Sequence, residues 1–221
     1  MHAGNIVSKG AILQRDKKTY AITPRIPGGI ITPDILNRIS IVVKKYKISE
    51  MKITSGNRIA MIGIEEKDLD AVWKELGMDI GHATGLCFHY VQCCPGTDYC
   101  KYGIQDSTGL GLELEKTFYN TKLPAKVKIG VSGCNMCCAN SFIKDIGVIG
   151  KRLGWTIALG GRAGTMPRAG MILEKNLTST DVIRTLKKFL EHYALNAADD
   201  VRAFRFVERE GIEKLKEVLL K

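Results

Sequence analysis

Short apolar runs and amphipathic stripes alternate along the first third of the chain. Residues 19–26, TYAITPRI, are rich in strand formers and stop at Pro27-Gly28-Gly29, a turn signal followed by a second short strand-like run, Ile30-Ile31. Thr32 is a favourable N-cap with Pro33 at the first helical position, and Ile35, Ile39, Val43 and Tyr46 recur on one helical face. Met51–Thr54 and Ile59–Ile64 predict two strands joined by a Ser55-Gly56-Asn57 turn, after which Asp68 opens a helix carrying Leu69, Val72 and Leu76. The order β, α, β, β, α is most of a ferredoxin-like α+β unit.

Gly77 and Gly81 mark a boundary, which divides the chain into residues 1–80 and 81–221. Residues 82–100 read as turn-rich, because cysteines, Pro95 and Gly96 replace regular periodicity. A helix is predicted from about Tyr99 to Phe118, weakened by Gly103, Gly109 and Gly111. Strands follow at Lys126–Val131, Asp145–Ile149 and Trp155–Leu159, the last leading into the loop GGRAGTMPRAG. Two apolar stripes, Val182/Leu186/Phe189/Leu190/Tyr193 and Ile212/Leu215/Leu219, predict C-terminal helices packed on a core.

With 221 residues, 45% of them hydrophobic, the chain can bury a genuine core without disulfides. It contains no run of eighteen uncharged apolar residues, and its first residues lack the apolar core of a secretory signal, so a soluble cytoplasmic protein is expected. Six of the seven cysteines fall in two tight groups, Cys93/Cys94/Cys100 and Cys134/Cys137/Cys138, with Cys87 just upstream. In a reducing compartment such clustering favours metal binding over a disulfide framework. The formal charge of +10 calls for an anionic partner: nucleic acid, an acidic protein, an oxyanion or a polycarboxylate cofactor.

Cys94-x5-Cys100 followed 34 residues later by Cys134-x3-Cys138 provides four thiolates in two short loops, as a cubane cluster needs, since each iron takes one cysteine. A structural zinc site also uses four thiolates, usually with two to four residues inside each knuckle, and the five-residue gap weighs mildly against it. The neighbouring residues decide more. Cys94-Pro95-Gly96-Thr97-Asp98-Tyr99-Cys100-Lys101-Tyr102-Gly103, and Leu123-Pro124-Ala125-Lys126-Val127-Lys128-Ile129 leading to Ser132-Gly133-Cys134, closely resemble the cluster-binding segments of the siroheme-dependent nitrite and sulfite reductases. Pro24-Arg25-Ile26-Pro27-Gly28-Gly29 with Ile53-Thr54, and Leu159-Gly160-Gly161-Arg162, are similar to further stretches of that family. Among its members the chain looks most like the small single-unit sulfite reductases of anaerobic prokaryotes.

The resemblance implies a ferredoxin-like half-domain followed by an α/β domain that binds siroheme and a 4Fe-4S cluster. It assigns Cys94, Cys100, Cys134 and Cys138 as cluster ligands, with Cys138 bridging to the siroheme iron. It implies six-electron reduction of sulfite, or of nitrite as an alternative, fed by an external donor such as a ferredoxin. Arg25, Arg58, Arg162 and Arg168 are candidates for the siroheme carboxylates, which guanidinium forks match bidentately. Lys126 and Lys128 match substrate lysines of the family by motif, strand alternation points both the same way, and Arg58 is placed with them. The chain departs from the pattern at Asn135-Met136-Cys137, where Pro-Asn-Gly is common, and near Gly56, where the family usually has an arginine.

Cys93 and Cys137 read as small buried residues beside the ligands. Two other classes compete with the reductase: an iron-sulfur electron-transfer or sensing protein without haem, and a nucleic-acid-binding module. Neither an aromatic-basic RNA motif nor a glycine fingerprint for a nucleotide occurs in the sequence. Electrons must then come from a separate protein, and the resulting reductase would act as a monomer or homodimer.

Overall fold

Thr32 caps the first helix as its sequence predicts, accepting a hydrogen bond from the Ile35 amide at 3.3 Å. In the computed structural model, which describes residues 4–220, the chain forms two compact units, Met1–Gly85 and Leu86–Lys221. The first contains β1 (Ile12–Leu13), β2 (Thr19–Ile22), α1 (Pro33–Lys45), β3 (Glu50–Ile53), β4 (Ile59–Glu65) and α2 (Leu69–Leu76). Its antiparallel sheet runs β1-β2-β4-β3, with Tyr20 opposite Ile64 and Met51 opposite Met61. Ile22, Ile39, Val42, Met61, Leu69 and Leu76 fill its core. Ile30-Ile31 is not a strand: Pro27–Gly29 forms a 3-10 turn with Gly28 at φ 62°, and the chain runs straight on to the Thr32 cap.

The second unit holds β5 (Phe88–Cys93), α3 (Gly96–Tyr99), α4 (Ser107–Phe118), β6 (Val127–Ser132), β7 (Ile146–Lys151), β8 (Gly154–Leu159), β9 (Met171–Leu177) and helices α5 (Ser179–Asn196), α6 (Ala203–Glu210) and α7 (Ile212–Leu219). Five strands lie in chain order; β5, β6 and β7 are parallel, and β8 and β9 are antiparallel additions. Val91, Val127, Ile129 and Val131 face a core completed by Leu114, Phe189, Phe206 and Leu215. Tyr90, Lys128 and Gly130 therefore look out on the other face.

The helix predicted from Tyr99 to Phe118 is two helices. Gly103 lies so near Gly96 that a Cβ on it would meet the Gly96 carbonyl at 2.3 Å, and this turn separates α3 from α4. Asp106 then starts α4 by accepting from the Gly109 amide at 2.7 Å, and Gly111 lets the helix lie against Cys93. The stretch read as turn-rich conceals β5, and β9 is a strand that the periodicity did not predict. Among the described residues no helix is long and apolar enough to cross a membrane.

Candidate iron-sulfur site

Two parallel strands deliver the cysteines. β5 ends at Cys93, and the Cys94 amide still donates to Val131 at 3.1 Å, so the first loop leaves directly from the sheet. Cys100 follows α3 and its amide bonds the Gly96 carbonyl at 3.0 Å. β6 ends at Ser132, and the second loop carries Cys134 and Cys138, with Cys137 in a left-handed turn at φ 53°. The loops are stitched together by the Ile104 and Gln105 amides, which donate to the Gly133 carbonyl at 3.0 and 3.1 Å. Ser132 donates or accepts at Ser141 over 2.7 Å and accepts from the Ala139 amide, fixing the far end of the second loop.

Cys94, Cys100, Cys134 and Cys138 all line one cavity of about 250 Å³, with Pro95, Tyr102 and Met136 among its walls. The Cys94 sulfur accepts from the Gly133 amide at 3.1 Å and lies 3.2 Å from the Ser107 hydroxyl, and hydrogen bonds to a ligand sulfur are one of the means by which a protein tunes a cluster. Among the described residues no three His, Cys, Asp or Glu side chains converge on one ion. A single zinc, bonded at about 2.3 Å, would draw four sulfurs to within roughly 4 Å of one another. Four thiols lining one cavity are the donor set a cubane cluster needs, one for each iron.

The two extra thiols differ from these four. Cys93 packs against the core, and burial pushes its thiol up to about 11. Cys137 is partly buried, which also raises its thiol.

Lys126 is exposed just before β6, and Lys128 is half-buried within it, so only one of the two belongs to the strand. The Lys128 amide donates to Asp145 at 3.0 Å, and Asp145 is also gripped by Arg202 at 2.7 and 3.0 Å. Burial raises the Asp145 carboxyl and Arg202 opposes that rise. The Lys128 and Lys144 ammoniums lie 5.7 and 5.5 Å from the centre of the Tyr90 ring. Gln92, on the same face, is buried with its side-chain oxygen unpartnered. Sequence reasoning missed Tyr90, Gln92, Lys144, Asp145 and Arg202; residues 88–92 are buried without alternation, so no local signal marked the first two.

Arg162 and Arg168 pair across the loop after β8, and both guanidiniums approach Glu208, at 3.6 and 2.7 Å. Arg162 also stacks over Phe204 at 4.6 Å. Arg25 and Arg58 belong to the first unit. Arg58 is buried, 7% exposed, and its guanidinium donates to the His82 carbonyl at 3.4 Å; Arg25 is paired with Asp79 at 3.0 Å.

Residues 85–221 match the model of the nitrite and sulphite reductase 4Fe-4S domain, and residues 12–78 that of the nitrite/sulfite reductase ferredoxin-like half domain. The chain belongs to the nitrite and sulfite reductase family. An assimilatory-type sulfite reductase of Nitratidesulfovibrio vulgaris is 45% identical over 96% of this chain and 97% of its own length. An NAD(P)H nitrite reductase of Bacillus subtilis is 40% identical over 95% of the chain, which spans only 26% of that relative. A dissimilatory sulfite reductase I superposes with a TM-score of 0.82 at 15% identity over 92% of this chain and 69% of its own. The NirA protein of Mycobacterium tuberculosis does so at 0.80 and 19%, over 91% and 39%. These two show the shared α+β fold. The family is one of oxidoreductases, and the four thiols lie inside its 4Fe-4S domain.

Proposed function

We propose that the chain reduces sulfite to sulfide, using a 4Fe-4S cluster coupled to siroheme. The observation that carries this reading is the gathering of four thiols from two loops around one cavity, in a chain so similar to a sulfite reductase along that relative's whole length. Cys94, Cys100, Cys134 and Cys138 hold the cluster. Cys138, the most exposed of them, would also hold the haem iron. The coupled centres, when bound, supply electrons singly while the substrate stays in place.

The protein's own groups handle charge and protons. Sulfite accepts six electrons and sheds its three oxygens as water, so its site must neutralise an anion and deliver protons. Lys126, Lys128 and Arg58 take that role. Arg25, Arg58, Arg162 and Arg168 serve the siroheme carboxylates: Arg58 is buried rather than solvated, and Arg162 and Arg168 bring two positive charges to the single carboxylate of Glu208. The electrons come from a separate acidic protein such as a ferredoxin, in the cytoplasm, where thiols stay reduced.

Anaerobic purification followed by iron, labile-sulfide and haem analysis tests the cofactors, and turnover of sulfite and nitrite with a reduced viologen tests the substrate. Siroheme with sulfite turnover is expected. Preference for nitrite would reassign the substrate, and a cluster without haem would make the chain an electron carrier or sensor.

A further inference from the structure

The second unit holds a larger cavity than the one lined by the cysteines, and the two share no lining residue. It has a volume of about 530 Å³ between β9, α5 and α7, and three cations line it, Lys175, Arg184 and Lys188, together with Leu177 and Leu219. A regular strand would send Glu174 and Lys175 to opposite faces. β9 is not regular here: Trp155 pairs with Leu177 and Ile157 with Glu174, so β9 carries one extra residue across this step, and Asn176 takes φ 57°. Such a bulge re-aims side chains, and Glu174, Lys175 and Leu177 all reach the one cavity.

Arg184 and Lys188 stand four residues apart on α5, so two like charges share a helical face beside the cavity, an arrangement that an anion relieves. Thr185, between them in sequence, also lines the cavity. It is only 4% exposed, and among the described residues nothing hydrogen-bonds its hydroxyl. A buried hydroxyl without a partner is costly, and a ligand oxygen satisfies it. The cations keep donors as well. Lys188 gives one of its three to the Leu219 carbonyl at 3.3 Å, and Arg184 gives one of its five to Asp181. Lys175 makes no ion pair among the described residues. The carboxylate on the wall, Glu174, accepts from the Lys175 amide at 2.8 Å. Glu174 and Asp181 therefore leave the three cations with a positive surplus.

An oxyanion suits a guanidinium fork, two ammoniums and a hydroxyl. The volume lies within the range of about 300–1,000 Å³ typical of small-molecule sites, and the leucines call for an apolar body beside the charged head.

We infer that this cavity binds a small phosphate monoester, with its phosphate on Lys175, Arg184, Lys188 and the Thr185 hydroxyl and its organic part against Leu177 and Leu219. The site uses none of the groups assigned to the cluster, the siroheme or sulfite. Calorimetric titration of phenyl phosphate and of inorganic phosphate into the full-length protein, beside T185V and K175E, tests it. Phenyl phosphate should bind at one site per chain, about tenfold more tightly than inorganic phosphate, because burial of the ring adds to the same head-group contacts. T185V keeps the shape and removes the hydroxyl, and should weaken phenyl phosphate about tenfold, the effect of one hydrogen bond to a charged group. K175E reverses an exposed charge and should weaken it at least about threefold. Iron and labile sulfide in both variants should match wild type. No binding of phenyl phosphate up to about 10 mM overturns the site. Binding that both variants leave intact, or that sulfite displaces, overturns it too, since the ligand then sits elsewhere. Equal affinity for the two probes overturns the ester and leaves a site for a bare oxyanion. Should T185V fail to fold, T185A is read in its place. Failure of the reductase reading would leave these titrations as they are.

Discussion

Gly133 stands where the two cysteine loops touch. A Cβ there would come within 2.7 Å of the Gln105 carbonyl and 3.0 Å of both the Gly96 Cα and the Ser107 hydroxyl. None of these can retreat cheaply, because Gly133 also accepts from the Ile104 and Gln105 amides and its own amide binds the Cys94 sulfur. Gly133→Ala should therefore wedge the loops apart and lower iron and labile sulfide to less than about half, with a loss of 1–3 kcal/mol of stability as in other overpacked sites, roughly. Cys93→Ala is the matched control. The Cys93 side chain packs on the core rather than lining the cavity, so this variant should keep a full cluster. Iron and sulfide analysis of both proteins checks the pair, and cluster loss in Cys93→Ala would mean that Cys93 is a ligand.

At the level of elements, α5 is the best-defined helix. Thr178 and Asp181 close a reciprocal capping box, each side chain accepting from the other's backbone amide. Thr178→Ala should cost about 1 kcal/mol, read as a fall in Tm. Hydrogen bonds from Thr178 hold the Asp181 carboxyl below its ordinary value. A lowered folded-state value means that its stabilisation is present above the unfolded value and lost as pH falls through the lowered one. The Tm difference between wild type and Asp181→Asn should accordingly shrink as pH drops below about 4. This helix was legible from its stripe, since one buried face leaves a clear period. β5 was not: Phe88, His89, Tyr90, Val91 and Gln92 are all buried, so no alternation marks a strand between its two covered faces. That the two cysteine pairs meet at one cavity was legible because each pair sits close in sequence on a single loop. The Asp145–Arg202 pair, 57 residues apart, exists only once the sheet and α6 have assembled.

The molecule as a whole divides its work between two hydrophobic cores, one built from residues up to Met78 and the other from Phe88 onward. All four thiols proposed as cluster ligands belong to the second unit. Residues 86–221 produced alone should consequently fold and incorporate the cluster, with the absorption and iron content of the full chain's cubane; an unfolded product would show that the first core is needed. Charge is distributed on a different plan. The surplus of +10 comes from 33 basic residues spread over the whole length. Long-range attraction from such a charge speeds encounter with an acidic protein by about 10- to 1,000-fold at low salt. Screening shortens its reach to about 8 Å at 0.15 M ionic strength. With an acidic ferredoxin as donor, kcat/KM for the donor should thus fall steeply between about 0.02 and 0.3 M salt. With a cationic viologen the long-range force is repulsive, and added salt should leave the rate level or raise it. Sulfite is an anion as well, so its own KM must be measured over the same range to separate loss of substrate attraction from loss of donor attraction. A donor rate insensitive to salt would mean that the protein surface recognises its partner through apolar contact, and that the positive charge serves the bound cofactor alone.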